Sequence, residues 1–197
     1  MLDEAPAGRL IALAAEESPF GPGPPPDDFV ARCLAWLGAA AAGASVVTEQ
    51  ARLVPQGLSP DPRADIVASG SAAGAHLIAR LRREGMAPGL KSMGFVDERE
   101  FWEPWCAALI DGNPVSICFA ARRTPTGACA GVATAAAFRG RGLASAVVAA
   151  WSRHPSLDGK TLFYSHAVTN LASSALADGL GLGLFAGVVE FSLSRAA

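Results

Sequence analysis

Charge is scarce in this chain. Charged residues make up 17% of the 197 positions, 16 basic against 18 acidic, for a net charge of −2. So small an imbalance sets up no global attraction to nucleic acid or an anionic membrane, and any polyanion site has to be local. The four cysteines, Cys33, Cys106, Cys118 and Cys129, include no C-x-x-C pair. That spacing argues against a disulfide framework and against a structural metal site, so free thiols and no metal are expected. Tyrosine occurs once, at Tyr164, and histidine three times, so groups suited to proton transfer are few. The longest apolar run, Cys33 to Val47, is too short and too rich in Ala and Gly to span a bilayer. Met1-Leu2-Asp3-Glu4 is acidic where a secretory signal is basic. A cytoplasmic protein is the expectation.

Apolar residues, at 51%, are plentiful enough for a substantial core, although much of the total is alanine. Prolines at 22 and 24–26, 55, 60 and 62 punctuate the first part of the chain. Asp27-Asp28 caps an expected helix whose Phe29, Cys33, Trp36 and Leu37 share a face. Ser45 to Thr48 reads as a short strand, and Ala73 to Arg83 as a helix stopped by Gly85. From residue 91 the pattern sharpens. Trp105–Ile110 and Val115–Ala121 flank the turn Asp111-Gly112-Asn113-Pro114 as a hairpin. Strands are expected over 128–135, 161–166 and 184–193, with helices after Gly142 and over 172–180. The order β-β-β-α-β-α-β is that of an α/β chain of the α+β type. The expected division is a divergent part over 1–90, packed on the same domain, and a well-patterned core over 91–197.

Chemistry concentrates in one loop, Phe138-Arg139-Gly140-Arg141-Gly142-Leu143-Ala144-Ser145, between a strand and a helix. Its glycines let the backbone turn tightly and bring amides close to a bound group. The first turn of the following helix leaves N–H donors unpaired and adds partial positive charge. Arg139 and Arg141 add full charges, and Ser145 adds a donor. These features suit phosphate or pyrophosphate oxygens; a solvated turn carrying two arginines is the plainer reading. No G-x-x-x-x-G-K-[ST] is present, so this is not a Walker loop.

Arg139-Gly140-Arg141-Gly142-Leu143-Ala144 fits the pattern [QR]-x-x-G-x-[GA]. Downstream, Asn170-Leu171-Ala172-Ser173 fits N-x-x-S, and Leu176 with Leu180-Gly181-Leu182 fits the end of the helix that follows it. In these motifs, over about residues 91 to 195, the sequence resembles the GNAT superfamily of acyl-CoA-dependent N-acetyltransferases. The resemblance implies a mixed, mostly antiparallel central sheet flanked by helices, and acetyl-CoA as cosubstrate. Amides of Arg139 to Ala144 would cradle the CoA pyrophosphate. Val132 and Thr134 would pair with the pantetheine arm, and an amide of that strand would polarise the thioester carbonyl. Asn170 would hydrogen-bond the pantetheine, and Ser173 would cap or support the last helix. The reaction implied is direct attack of an amine on the thioester.

The catalytic pattern departs from that family. Its tyrosine, which often protonates the leaving thiolate, falls at Ala177, and the glutamate base of some relatives falls within Ala128-Cys129-Ala130. His166 and Cys129 are the candidates left for proton transfer, the alternatives being a surface or structural histidine and a small core residue. Tyr164 reads as core, and His76 and His154 as surface. Asp97, Glu98, Glu100 and Glu103 form an acidic segment that either attracts a cationic amine or is simply solvated. Phe101, Trp102 and Trp105 either line such a groove or anchor the hairpin. The leading expectation is an N-acyltransferase with a small-molecule or protein amine as acceptor, and with homodimerisation open. The alternative is a degenerate GNAT domain that binds acyl-CoA in a regulatory or assembly role. No nucleic-acid or membrane partner is expected.

Overall fold

The computed structural model describes residues 12, 15, 27–37, 45–59 and 65–192. Helix α1 is Asp27–Leu37, β1 is Ser45–Val54, β2 is Asp65–Ala68, α2 is Ala72–Glu84 and α3 is Pro88–Ser92. Then follow β3 (Trp105–Ile110), β4 (Asn113–Arg123), β5 (Gly127–Thr134), α4 (Leu143–Trp151), β6 (Thr161–Ala167), α5 (Leu171–Gly179) and β7 (Gly183–Ser192). The seven strands are ordered β2-β3-β4-β5-β6-β1-β7. The pairs β2–β3, β3–β4 and β4–β5 are antiparallel, and β5–β6 is parallel. This is the mixed, mostly antiparallel sheet that was expected.

Two compact units divide the described residues. The larger takes Arg52–Ser165 and Ala172–Gly183; the smaller takes the chain up to Ala51, His166–Leu171 and the chain from Leu184 onward. In the larger unit the sheet has two apolar faces. On one, Val147, Val148 and Trp151 of α4 pack with Cys106, Cys118, Ala128, Ala130, Leu162 and Tyr164. On the other, Leu77 and Leu81 of α2 and Leu90 of α3 pack with Phe95, Phe101, Trp105 and Ile117. Residues 107 and 108, neighbours on β3, go to opposite faces as strand alternation requires. Helix α4 is pinned by the Trp151 indole, which donates to Pro104 O at 2.9 Å. In the smaller unit, α1 buries Cys33 and Leu37, and Val168 N donates to Thr48 O at 2.9 Å.

Local chemistry explains the elements that follow expectation. Ser71 caps α2 by accepting from Gly74 N, and Gly85 ends it at φ 83°. Asp111 and Gly112 both take positive φ, 50° and 72°, as a tight two-residue hairpin turn demands. Three elements differ from expectation. β1 runs ten residues, on through Glu49, Gln50 and Arg52, because strand neighbours supply backbone partners that its polar composition does not advertise. β2 and α3, four and five residues long, are too short to show a period. His154 is not a free surface residue. Its Nδ1 accepts from Ser156 N at 3.2 Å, and its Nε2 donates to Ser69 O at 2.9 Å, fastening the end of β2 to the segment after α4.

Candidate functional site

The larger unit places the glycine loop at the end of a half-paired strand. β5 is paired with β4 along its length, from Arg123↔Ala128 to Ser116↔Thr134. Its rungs with β6 run only from Gly127↔Thr161 to Ala130↔Tyr164. Among the described residues, positions 131–134 therefore have no rung on the β6 side. Ala135 N donates to Val115 O on the β4 side at 2.9 Å. Alternation then turns the main-chain groups of Val132 and Thr134 toward the open edge. An extended ligand can add there as a strand does. Thr134 is anchored besides: its hydroxyl lies 2.7 Å from Ser116 Oγ, which is fully buried and also donates to Ala133 O at 3.2 Å.

A 3-10 turn at Ala136–Phe138 leads from this edge into the loop. Gly140 and Gly142 have φ of 72° and 78°, a conformation that side chains with a Cβ rarely adopt. Gly142 is the N-cap of α4 and brings no side-chain cap; the first helical bond is Ala146 N to Gly142 O at 3.0 Å. The amides of Leu143, Ala144 and Ser145 thus form the unfilled donor set of a helix start, biased toward negative charge.

Both arginines fold back on the loop. Arg139 Nε donates to Thr134 O at 3.2 Å. Arg141 donates to Ala137 O at 3.1 Å, with its guanidinium 5.0 Å above the Phe138 ring. The two are exposed, so they brace the turn while keeping their charge in solvent. Arg139 also occupies a carbonyl that faces the open edge.

The catalytic candidates are placed as follows. Cys129 is half-buried one rung before the fork, on the face opposite Ala128 and Ala130. Tyr164 sits on the last rung and is 4% exposed; burial raises its pKa, while a hydrogen bond from Ser173 lowers it. Ser173 thereby connects α5 to β6. Ala177 is fully buried in the same core as Tyr164. His166 and Asn170 belong to the smaller unit. There His166 is buried and its Nδ1 donates to Ala167 O at 3.1 Å, while Asn170 is exposed, with its amide on Ala167 O at 2.9 Å. In that unit sequence reasoning missed Glu49, whose Oε2 is buried with no hydrogen-bond partner among the described residues. A glutamate between Thr48 and Gln50 gives no local signal of burial.

Asp97, Glu98 and Glu100 of the acidic segment are already engaged. Asp97 accepts from Arg99, Glu98 pairs with Arg82 at 2.8 Å, and Glu100 closes a capping box on the 3-10 turn Glu98–Glu100. The Arg99 guanidinium holds the Asp97 carboxyl well below the usual carboxylate range. Phe101 and Trp105 are buried anchors, whereas Trp102 is 54% exposed and edge-on to Phe119 at 6.0 Å.

Residues 109–186 match the model of the FR47-like protein family. Among solved structures, the fold is similar to that of a protein named as a GNAT-family acetyltransferase from Novosphingobium aromaticivorans. That match has 18% identity and a TM-score of 0.58, over 98% of this chain and 81% of that one. A GCN5-related N-acetyltransferase-like protein from Streptococcus suis aligns at 20% identity and TM-score 0.52, over 87% and 77% of the two chains. A functionally unknown conserved protein from Staphylococcus epidermidis aligns at 11% and 0.52, over 89% and 68%. At these identities the likeness is one of fold. No curated protein matches the sequence. Among the described residues, no helix is long and apolar enough to cross a membrane, and no group of three or more His, Cys, Asp or Glu is placed to hold a metal ion.

Proposed function

We propose, from a fold similar to that of GNAT acetyltransferases, that this chain is an N-acyltransferase moving an acetyl group from acetyl-CoA to an amine. The observation that carries the reading is the continuity of the open β5 edge at Val132 and Thr134 with the amide-rich start of α4. A long ligand with phosphates at one end and an amide-bearing arm at the other fits both at once. The pyrophosphate would lie on the amides from Arg139 to Ala144, with Arg139 and Arg141 swinging out to meet it and Ser145 beside it. Release of Thr134 O by Arg139 would free that carbonyl for the arm. Ser173 is the further contact that the resemblance assigns to the helix of this unit. The donor site is thus proposed to lie within residues 91–197. Holding the thioester in one place lets a neutral amine attack directly, and much of the acceleration then comes from positioning.

A second reading is a domain that binds acyl-CoA without turning it over, and the fully buried alanine at position 177 favours it. Calorimetric titration with acetyl-CoA, with Arg139→Glu, Arg141→Glu alongside, tests the donor site common to both readings. Reversal of both charges is expected to weaken binding by about a hundred-fold or more, since each contact is charge-assisted. A folded wild-type protein that takes up no acetyl-CoA would rule out both. Turnover with a panel of amines then separates the transferase from the silent binder.

A further inference from the structure

An amine attacks a planar thioester along the normal to its carbonyl plane. A carbonyl held by an edge amide of β5 lies close to the plane of the sheet's hydrogen bonds, so the two approaches are the two faces of the sheet. At the open edge beside Val132 these faces differ. On the side of α4 and α5, Ala130, Tyr164 and Ala177 are buried, and Val132 packs against that core. On the other side the flanking positions of β5 are Gly131 and Ala133, which bring little or no side chain. Phe119, the partner of Gly131 on β4, takes the space instead: a Cβ on Gly131 would stand 2.7 Å from the Phe119 ring. The amine therefore arrives on this side, past Phe119.

Phe119 belongs to a row of rings. Trp105, Phe101, Phe95 and Phe119 meet edge to face in that order, with centroids 5.6, 5.2 and 5.8 Å apart, and Trp102 extends the row at 6.0 Å. The first three are buried, Phe119 is half-buried, and Trp102 is 54% exposed. The Trp102 main chain is tied to β4 all the same, since Ala120 N donates to Trp102 O at 3.2 Å. The Trp102 and Phe119 rings stand at 81° to each other, a corner with two apolar walls beside the acyl end of the donor site. Trp102 leaves a large apolar area in water there, and a further ring laid in the corner covers it.

We infer that Trp102 and Phe119 form the acceptor subsite, and that the amine it takes carries an aromatic ring a few bonds from its nitrogen. This rests on the acetyl-transfer reading given above. The ring seats on Trp102 against Phe119 while the nitrogen reaches the edge at Gly131 and Val132. There the nitrogen lone pair forms the bond to the acyl carbon, and the C–S bond breaks with its electron pair leaving on sulfur. The nitrogen sheds its proton to solvent and the sulfur takes one up from solvent. The products are an N-acetylated arylalkylamine and the CoA thiol.

The test uses two bisubstrate conjugates and needs no turnover. In each, an acetyl linker joins the CoA sulfur to an amine nitrogen, that of 2-phenylethylamine in one and of n-hexylamine in the other. Calorimetry on the wild type is expected to show the phenylethyl conjugate binding about five-fold tighter or more than the hexyl conjugate. Trp102→Ala should erase that difference and Trp102→Phe should keep most of it, with the affinity for CoA itself the same in all three proteins. Equal affinities of the two conjugates for the wild type overturn the proposal, a result that needs no variant. So does a folded Trp102→Ala protein that keeps the full preference. Wild-type protein that binds CoA but neither conjugate overturns the subsite alone. Failure to bind CoA as well overturns the donor-site reading, which keeps the two failures distinguishable.

Discussion

The two faces of the sheet in the larger unit are built from different residues. The face under α4 and α5 is floored by Ala108, Cys106, Cys118, Ala120, Ala128 and Ala130. The face under α2 and α3 is filled by Phe95, Phe101, Trp105, Met86 and leucines, with the Phe95 ring edge-on to Phe101 at 5.2 Å. Small residues let a helix backbone sit close to the strands, so the start of α4 is fixed relative to the β5 edge that it has to serve. Aromatic residues supply area and tolerate adjustment. One face buys precision with little hydrophobic area, and the other supplies the bulk of the apolar burial.

If the first face depends on α4 being held in place, its largest single loss should come at Trp151. That side chain is fully buried and its indole satisfies Pro104 O. Trp151→Ala is expected to cost about 3–5 kcal/mol, because a large cavity opens and Pro104 O is left with the Ala120 amide alone. Leu90→Ala on the opposite face, also at a fully buried position, should cost less, about 2–3 kcal/mol. Urea denaturation midpoints of the two variants decide the order, and the reverse order would break the comparison.

A finer test uses neighbours that differ only in the face they occupy. Ala107 and Ala108 are both fully buried on β3, the first among the aromatic side chains and the second under α4. Ala108→Val should cost about 1–3 kcal/mol, as overpacking does in a rigid, small-residue interface. Ala107→Val should cost under about 1.5 kcal/mol, because Met86 and the neighbouring rings can shift. Equal losses would mean that both faces are equally rigid.

The same contrast separates what was legible in the sequence from what was not. The hairpin at Asp111-Gly112 and the loop at Gly140 and Gly142 rest on positive φ at particular residues, and such local demands are written in composition. The face of α2 follows from its period, with Leu77 and Leu81 four apart and both buried. The short strand β2 is held by its rungs to β3, from Asp65↔Leu109 to Ala68↔Cys106, and four residues show no period of their own. The polar stretch Glu49 to Arg52 reads as loop until strand neighbours are known. At the site, the loop could be read, but the return of Arg139 onto Thr134 and the link from Ser173 to Tyr164 could not. Both depend on how strand and helix ends meet in three dimensions.

A last expected effect is confined to alkaline solution, and it too belongs to the small-residue face. Cys106 and Cys118 stand directly opposite each other on β3 and β4 and are buried in that core. Burial pushes the Cys106 thiol up to about 12 and raises Cys118 well above its ordinary value. In the unfolded chain a thiol ionises near about 8.5. Below that pH both states keep the proton, and the contribution of each thiol to stability is fully present. Between about 8.5 and the folded value, the unfolded chain sheds a proton that the folded chain retains, so stability falls as pH rises. The slope is about 1.4 kcal/mol per pH unit for each thiol. Urea midpoints under reducing conditions should therefore drop between pH 7.5 and pH 10, and Cys106→Ala should recover roughly 2 kcal/mol of the loss. A wild-type protein equally stable at both values would mean that these thiols already meet solvent, and that the face under α4 is looser than its small residues imply.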